Sequence, residues 1–178
     1  MISSDGIVLD FQDIWGAKNP RTGELEIMAV ASDPGYSADG MIFKISGTEV
    51  TQFGNPHVLF RPISGVWFMP GQMYYVVGTR IFKNRYPYDR NSQWGVDVGS
   101  YQAQYYKTSI RGNGLNDIVV ACQRGDLLHY NGVSWVNFKN TAQLEVGHLF
   151  HRVAMKGNII VAAGDQYLWY GIVAIGRR

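Results

Sequence analysis

An all-β repeat fold is what this 178-residue sequence predicts, and three observations carry the prediction. Strand-like stretches alternate with turn signals along the whole chain. A common pattern returns four times at steps of 52, 44 and 45 residues. The composition holds 21 glycines and 13% aromatic residues, a pairing that many short strands joined by frequent turns produce.

The stretch DIVVACQRGDLLHYNGVSWVNF, residues 117–138, shows the unit most clearly. DIVVAC is a continuous apolar and β-branched run, as expected of a strand buried on both faces. QRGD is a turn carrying Gly125. LLHY alternates, and Asn131–Gly132 is a strong hairpin signal before VSWVNF. KTSIRGNG just upstream adds a fourth strand that ends on glycines. Anchored on SIRG at 109–112, the pattern recurs as DIWG at 13–16, GVWF at 65–68 and AMKG at 154–157. The column Trp15, Trp67, Arg111, Lys156 lies beside an apolar column, Ile14, Val66, Ile110, Met155, which the repeat predicts to be buried. A period in the forties with four strands per unit is the signature of β-propeller blades. The fold class is therefore an all-β, β-propeller-type repeat in one domain, residues 1–178. It has about four blades of four-stranded antiparallel sheets, at approximately 6–54, 55–98, 99–140 and 141–178. Residues 11–16, 63–68, 107–112 and 151–156 are predicted to be the innermost strands. The apolar spacing over 141–156 is partly helical, but the repeat places an inner strand over its second half.

FQDIWG, LLHYNGVSW and the closing VAMKGNIIVAAG…GIVAIGRR resemble the blades of bacterial surface and secreted β-propeller repeat proteins. Those blades run as D-I-W-G, then L-H-Y-D-G and a final W, in WD40-like fashion. The likeness spans nearly the whole chain, closest in blade three, and implies a propeller and an extracellular or cell-surface setting. It brings no catalytic residues with it. It departs in number, since complete rings usually have more than four blades, and the fourth blade here stops after three strands. Three arrangements follow: the C-terminal part of a larger ring, four blades closing alone or as a dimer, or an open array. Bare blade edges in an open array would favour self-association.

Bulk properties exclude some functions. A net charge of +2 is too small to point to nucleic acid. No apolar run reaches the ~18 residues of a membrane helix, so no membrane insertion is expected. MISSDGIVLDF has neither a basic segment nor a long apolar core, so it is not a signal peptide. That leaves an intracellular chain, or one whose targeting segment was removed or lies upstream. Cys122 is alone, which rules out an internal disulfide.

Chemical motifs are few. His148 and His151, with Glu145 near, have metal-like spacing only on a helix; on a strand they diverge. Arg124–Gly125–Asp126 spells an adhesive tripeptide where the repeat needs a turn anyway. Cys122 occupies a strand position that suits a buried small residue. RGNGLND lacks the Lys-Ser/Thr of a phosphate loop. Asp10 and Asp13 have the chemistry of an acid–base pair, but nothing in the sequence fixes their separation. No cofactor and no metal is expected.

Aromatics carry more information. Trp15, Trp67, Trp94, Trp135 and Trp169 recur with the blades, as blade-to-blade packing requires. RYPYDRNSQW (85–94) is different, because an inserted loop has no packing duty in the repeat. Blade one carries its own long loops at 17–24 and 32–40. The expected function is a non-catalytic binding or interaction scaffold for a protein or glycan, with Tyr86, Tyr88, Arg90 and Trp94 as candidate ligand-binding residues. A glycan-acting hydrolase or lyase using the propeller funnel, and a purely structural segment of a surface protein, are the alternatives.

Overall fold

The computed structural model describes residues 9–32, 40–53, 62–88 and 93–177. Fifteen strands form four antiparallel sheets among them, each a simple meander. The first sheet is β1 (Asp10–Lys18), β2 (Leu25–Ser32), β3 (Gly40–Ser46) and β4 (Glu49–Phe53). The second is β5 (Ile63–Met69), β6 (Met73–Gly78), β7 (Ile81–Asn84) and the two-residue β8 (Gly95–Val96). The third is β9 (Lys107–Gly114), β10 (Asp117–Cys122), β11 (Leu127–Tyr130) and β12 (Trp135–Asn137). The fourth has three strands, β13 (His148–Lys156), β14 (Ile159–Gln166) and β15 (Tyr170–Arg177). Turns and irregular backbone cover 139–147 and β13 covers 148–156, so the partly helical spacing of 141–156 yields to strand pairing. Two compact units result, Met1–Gly78 with Lys83–Gly95 and Thr79–Phe82 with Val96–Arg178; the division passes through β7 and β8.

Besides a second register shift at Asn113 in β9, each inner strand carries one β-bulge near its start. The extra residues are Gln12, Ser64, Thr108 and His151, at steps of 52, 44 and 43. The residue two places after each bulge faces the same way in every sheet: Ile14, Val66, Ile110 and Val153. The fourth member of the sequence-derived column is therefore corrected from Met155 to Val153. The step of two keeps the face but moves along the strand, which is why an apolar residue was found at either position. Val66 and Ile110 are fully buried, Val153 is 4% exposed, and Met155 is half-buried. Ile14 departs from expectation at 56% exposed. Its face is the one turned away from β5, whereas neighbouring Asp13 and Trp15 reach β5.

Bulges serve as the attachment points between sheets within each unit. In the first unit Ser32 Oγ donates to Ile63 O (3.0 Å) and accepts from Ile63 N (3.1 Å), while Asp13 Oδ2 accepts from Val66 N (3.0 Å). In the second, Thr108 Oγ1 donates to Phe150 O, and Ser109 Oγ accepts from Val153 N (3.3 Å). Ile63 and Phe150 immediately precede their bulges. Opposite them stand Gly78 and Gly164. A Cβ there would lie 2.1 Å from Pro62 O and 1.9 Å from Leu149 O. Cys122 holds the same place opposite Lys107 in the third sheet and is fully buried.

The second unit also buries a lysine. Lys107, 1% exposed, donates from Nζ to the carbonyls of Ala103 (2.9 Å), Thr79 (3.2 Å) and Ser100 (3.4 Å). Burial lowers its pKa, opposed by the nearby Cys122 and Asp126. Trp135 is anchored by Asp97 Oδ1 (2.6 Å), which also caps Gly99 N (2.9 Å). Four of the five tryptophans are buried or half-buried, in line with a packing role, but Trp169 is 84% exposed in the β14–β15 turn.

Ile110→Ala is expected to cost about 2–5 kcal/mol through the cavity it leaves, and Ile14→Ala no more than about 0.5 kcal/mol as an exposed change. Urea unfolding measures both; equal losses would contradict the register. Gly164→Ala is expected to cost about 1–3 kcal/mol, because the added methyl meets backbone, which has little room to move.

Candidate functional site

In the first unit, two hairpin turns and the start of the 84–93 insertion gather at one end of the sheets. The β1–β2 turn, Asn19-Pro-Arg-Thr-Gly23, is closed by Asn19, whose Oδ1 accepts from Arg21 N (2.9 Å) and Thr22 N (3.4 Å). Proline after Asn and glycine at φ +76° suit such a turn. The β5–β6 turn is Met69-Pro70-Gly71-Gln72, with Gln72 N donating to Met69 O (3.1 Å) and Gly71 at φ +69°. Those are the residues and signs of a type II turn. Asn84 Oδ1 accepts from Tyr86 N (2.9 Å) and starts the inserted loop. Between these segments lies an open groove of about 730 Å³, whose lining includes Asn19, Arg21, Glu26, Lys44, Gln72, Tyr74, Arg85, Tyr86 and Tyr88.

A carboxylate and a phenol organise its floor. Glu26 on β2 accepts at Oε1 from Asn19 Nδ2 (2.8 Å) and at Oε2 from Tyr74 OH (2.7 Å). The Tyr74 hydroxyl in turn accepts from Gly71 N (3.0 Å), so one phenol ties the turn to the acid. Burial, then the hydrogen bond to Glu26, push its pKa up to about 12. Tyr74 stacks on Phe68 (5.0 Å between centroids) and meets Tyr88 edge-on (5.7 Å). Tyr88 meets Phe53 edge-on (4.9 Å), and Lys44 Nζ lies 5.0 Å from its ring centre. The Tyr88 hydroxyl is buried with no hydrogen-bond partner among the described residues. Burial raises its pKa too, so the proton stays on.

Of the four residues the sequence singled out, the groove brings Tyr86 and Tyr88 together. Tyr86 is 69% exposed, and Tyr88 is half-buried. Trp94 is half-buried and does not line the groove. Arg90 lies outside the described residues. Sequence reasoning missed Glu26, Lys44 and Tyr74, which sit on regular strands. The signal that was available is the long 17–24 loop: odd-numbered hairpin turns of a meander fall at the same end as the 84–93 insertion.

The second unit holds a related but closed arrangement. His129 Nε2 lies 2.9 Å from Asp117 Oδ1, and Asn113 Nδ2 donates to Asp117 Oδ2 (2.8 Å). Both are buried, beside a shallower cavity of about 400 Å³. The registers put Glu26 where Asp117 stands and Lys44 where His129 stands, three residues before Ala29 and Val120 and opposite Met28 and Val119. The other motifs are engaged structurally. Asp126 of the Arg-Gly-Asp turn is 4% exposed and accepts from Asn137 Nδ2 (3.0 Å). His148 Nδ1 accepts from Glu145 N (3.1 Å), while His151 pairs with Asp165 (2.5 Å). Asp13 is bonded to Val66 N.

No family model matches the chain, and no curated protein matches it in sequence. Solved structures match it in fold. A luciferin-regenerating enzyme aligns over 96% of this chain at TM-score 0.61 and 13% identity. YCF48 from Cyanidioschyzon merolae aligns over 92% at TM-score 0.62 and 11% identity. Both are propeller proteins. The fold is of β-propeller type. This chain spans 62% and 49% of the lengths of those two proteins.

Because the fold raises the Tyr74 pKa from 10.0 to about 12, its neutral phenol favours the native state. That stability is present below pH 10 and lost as pH rises towards 12. Tyr74→Phe is expected to show a shallower alkaline loss of denaturation midpoint over that interval. Glu26→Gln should lower the Tyr74 pKa in a 295-nm difference titration against Tyr74→Phe.

Proposed function

We propose that this chain is a non-catalytic binding module whose ligand is a glycan lying in the groove of the first unit. The observation that carries the reading is the groove itself: a preformed concavity of about 730 Å³ with Tyr86 exposed beside amide and charged side chains. Its size falls within the range of small-ligand sites, roughly 300–1,000 Å³. An exposed phenol face offers a sugar ring a flat apolar contact, and Gln72, Arg21 and Arg85 offer hydrogen bonds to hydroxyls. A concave, polar-lined site suits a saccharide better than a protein surface, whose hot spots are desolvated aromatic clusters.

The hydrolase or lyase alternative needs a carboxylate free to exchange a proton with substrate. Glu26 already uses both oxygens, on Asn19 and Tyr74, so it supports the groove instead of reacting in it.

A glycan screen of the wild type, followed by calorimetry on any hit, tests this. Tyr86→Ala, and replacement of 85–90 by a short Asn–Gly turn, should each weaken binding at least tenfold, about 1.4 kcal/mol. Binding that survives both changes would overturn the groove reading. Turnover of the bound glycan would favour the enzyme.

A further inference from the structure

The two Asn–acid arrangements differ in one respect that bears on the ligand. In the third sheet the acid is closed on itself: Asp117 takes Asn113 on one oxygen and His129 on the other, within the same sheet. In the first sheet Glu26 takes Asn19 on one oxygen, but Tyr74 of the second sheet takes the other. Lys44, at the position of His129, is thereby left without the carboxylate that its counterpart has. Its ammonium rests on the Tyr88 ring. Arg21 and Arg85 also line the groove. Among the described residues, none of these three cations is within 4 Å of a carboxylate; the ion pairs found lie elsewhere. Glu24 is the remaining lining acid, and it is exposed.

We propose that the groove selects a saccharide carrying carboxylates, a uronate-containing glycan, read by Lys44, Arg85 and Arg21 while a sugar ring lies on Tyr86. The proposal rests on the groove being the glycan site. A carboxylate supplies the acceptor that these cations lack among the described residues, and Arg presents it with a two-pronged donor. Tyr74 matters indirectly. By holding Glu26 it keeps that carboxylate from pairing directly with Lys44, so the hydrogen bonds of the ammonium stay available to the ligand. The edge of the groove is open to solvent, so the attraction is partly screened and falls with salt.

The test is titration calorimetry of the full chain with oligogalacturonate, oligomannuronate and hyaluronan oligosaccharides, each beside its carboxyl-reduced counterpart. At least one acidic oligosaccharide is expected to bind tenfold or more tighter than its reduced form, with affinity falling between 50 mM and 500 mM NaCl. The double variant Lys44→Gln, Arg85→Gln should bring both forms to equal affinity. Tyr86→Ala should weaken both alike. Lys156→Gln, an exposed cation of the other unit, should change neither, which separates the groove from general attraction to a basic protein. Equal affinity of the wild type for acidic and reduced forms would overturn the acidic preference and leave the glycan groove standing. Binding of the acids that is lost in Lys156→Gln but kept in Tyr86→Ala would overturn both. The absence of binding by either form of all three oligosaccharides would overturn the acidic preference and leave the groove reading to the wider glycan screen.

Discussion

The structure depends on side-chain hydrogen bonds made to backbone at the bulges of the inner strands. An ordinary antiparallel sheet satisfies its own hydrogen bonds and presents only side-chain faces to the next sheet. A bulge unpairs one residue and turns backbone groups outwards. Ser32 and Asp13 in the first unit, and Thr108 and Ser109 in the second, reach those groups at Ile63, Val66, Phe150 and Val153. Apolar burial between sheets is non-directional, whereas these bonds fix the register of one sheet on the next. Gly78 and Gly164 follow from the same geometry, because backbone presses where their Cβ would be.

The candidate site grows from that register. Once β5 is set on β1, the strand β6 delivers Tyr74 to Glu26 at 2.7 Å. The β5–β6 turn then stands beside the β1–β2 turn, and the inserted loop adds Tyr86 and Tyr88 to the same end. The third sheet has the same acid position and also an Asn donor, from β9 and not from a turn, yet it closes with a histidine from its own β11. A short Asn–Gly hairpin follows there, where the second sheet has a long insertion. One repeat thus yields a sealed polar pair in one place and an open groove in another, and the difference comes from which neighbour completes the acid.

Single residues with suggestive chemistry owe their places to structural work. Asp126 is buried under Asn137, so the Arg-Gly-Asp turn does not display its carboxylate. Cys122 sits opposite Lys107 beside the bulge, at the place that Gly78 and Gly164 hold in their sheets, and burial raises its pKa. Lys107 shows how a charge is kept inside: three carbonyls from the 79–103 segment surround the ammonium. Burial costs the charge its hydration, and those carbonyls replace part of it.

The sequence by itself determined the strand count per blade, the inner strands and the general period, because turn glycines and β-branched runs are local signals. It also marked the 84–93 insertion, since a loop beyond the needs of the repeat stands out. It placed the fourth inner strand correctly but misjudged its register by two residues. Both Val153 and Met155 are apolar and share a face, and only the bulge at His151 tells them apart. Ile14 was expected to be buried because its column is apolar, but burial depends on what lies across that face, which no periodicity records. The pairing of Glu26 with Tyr74 was beyond the sequence altogether. The two residues are 48 positions apart on different sheets, and only the packing of β5 and β6 against β1 and β2 brings them within a hydrogen bond.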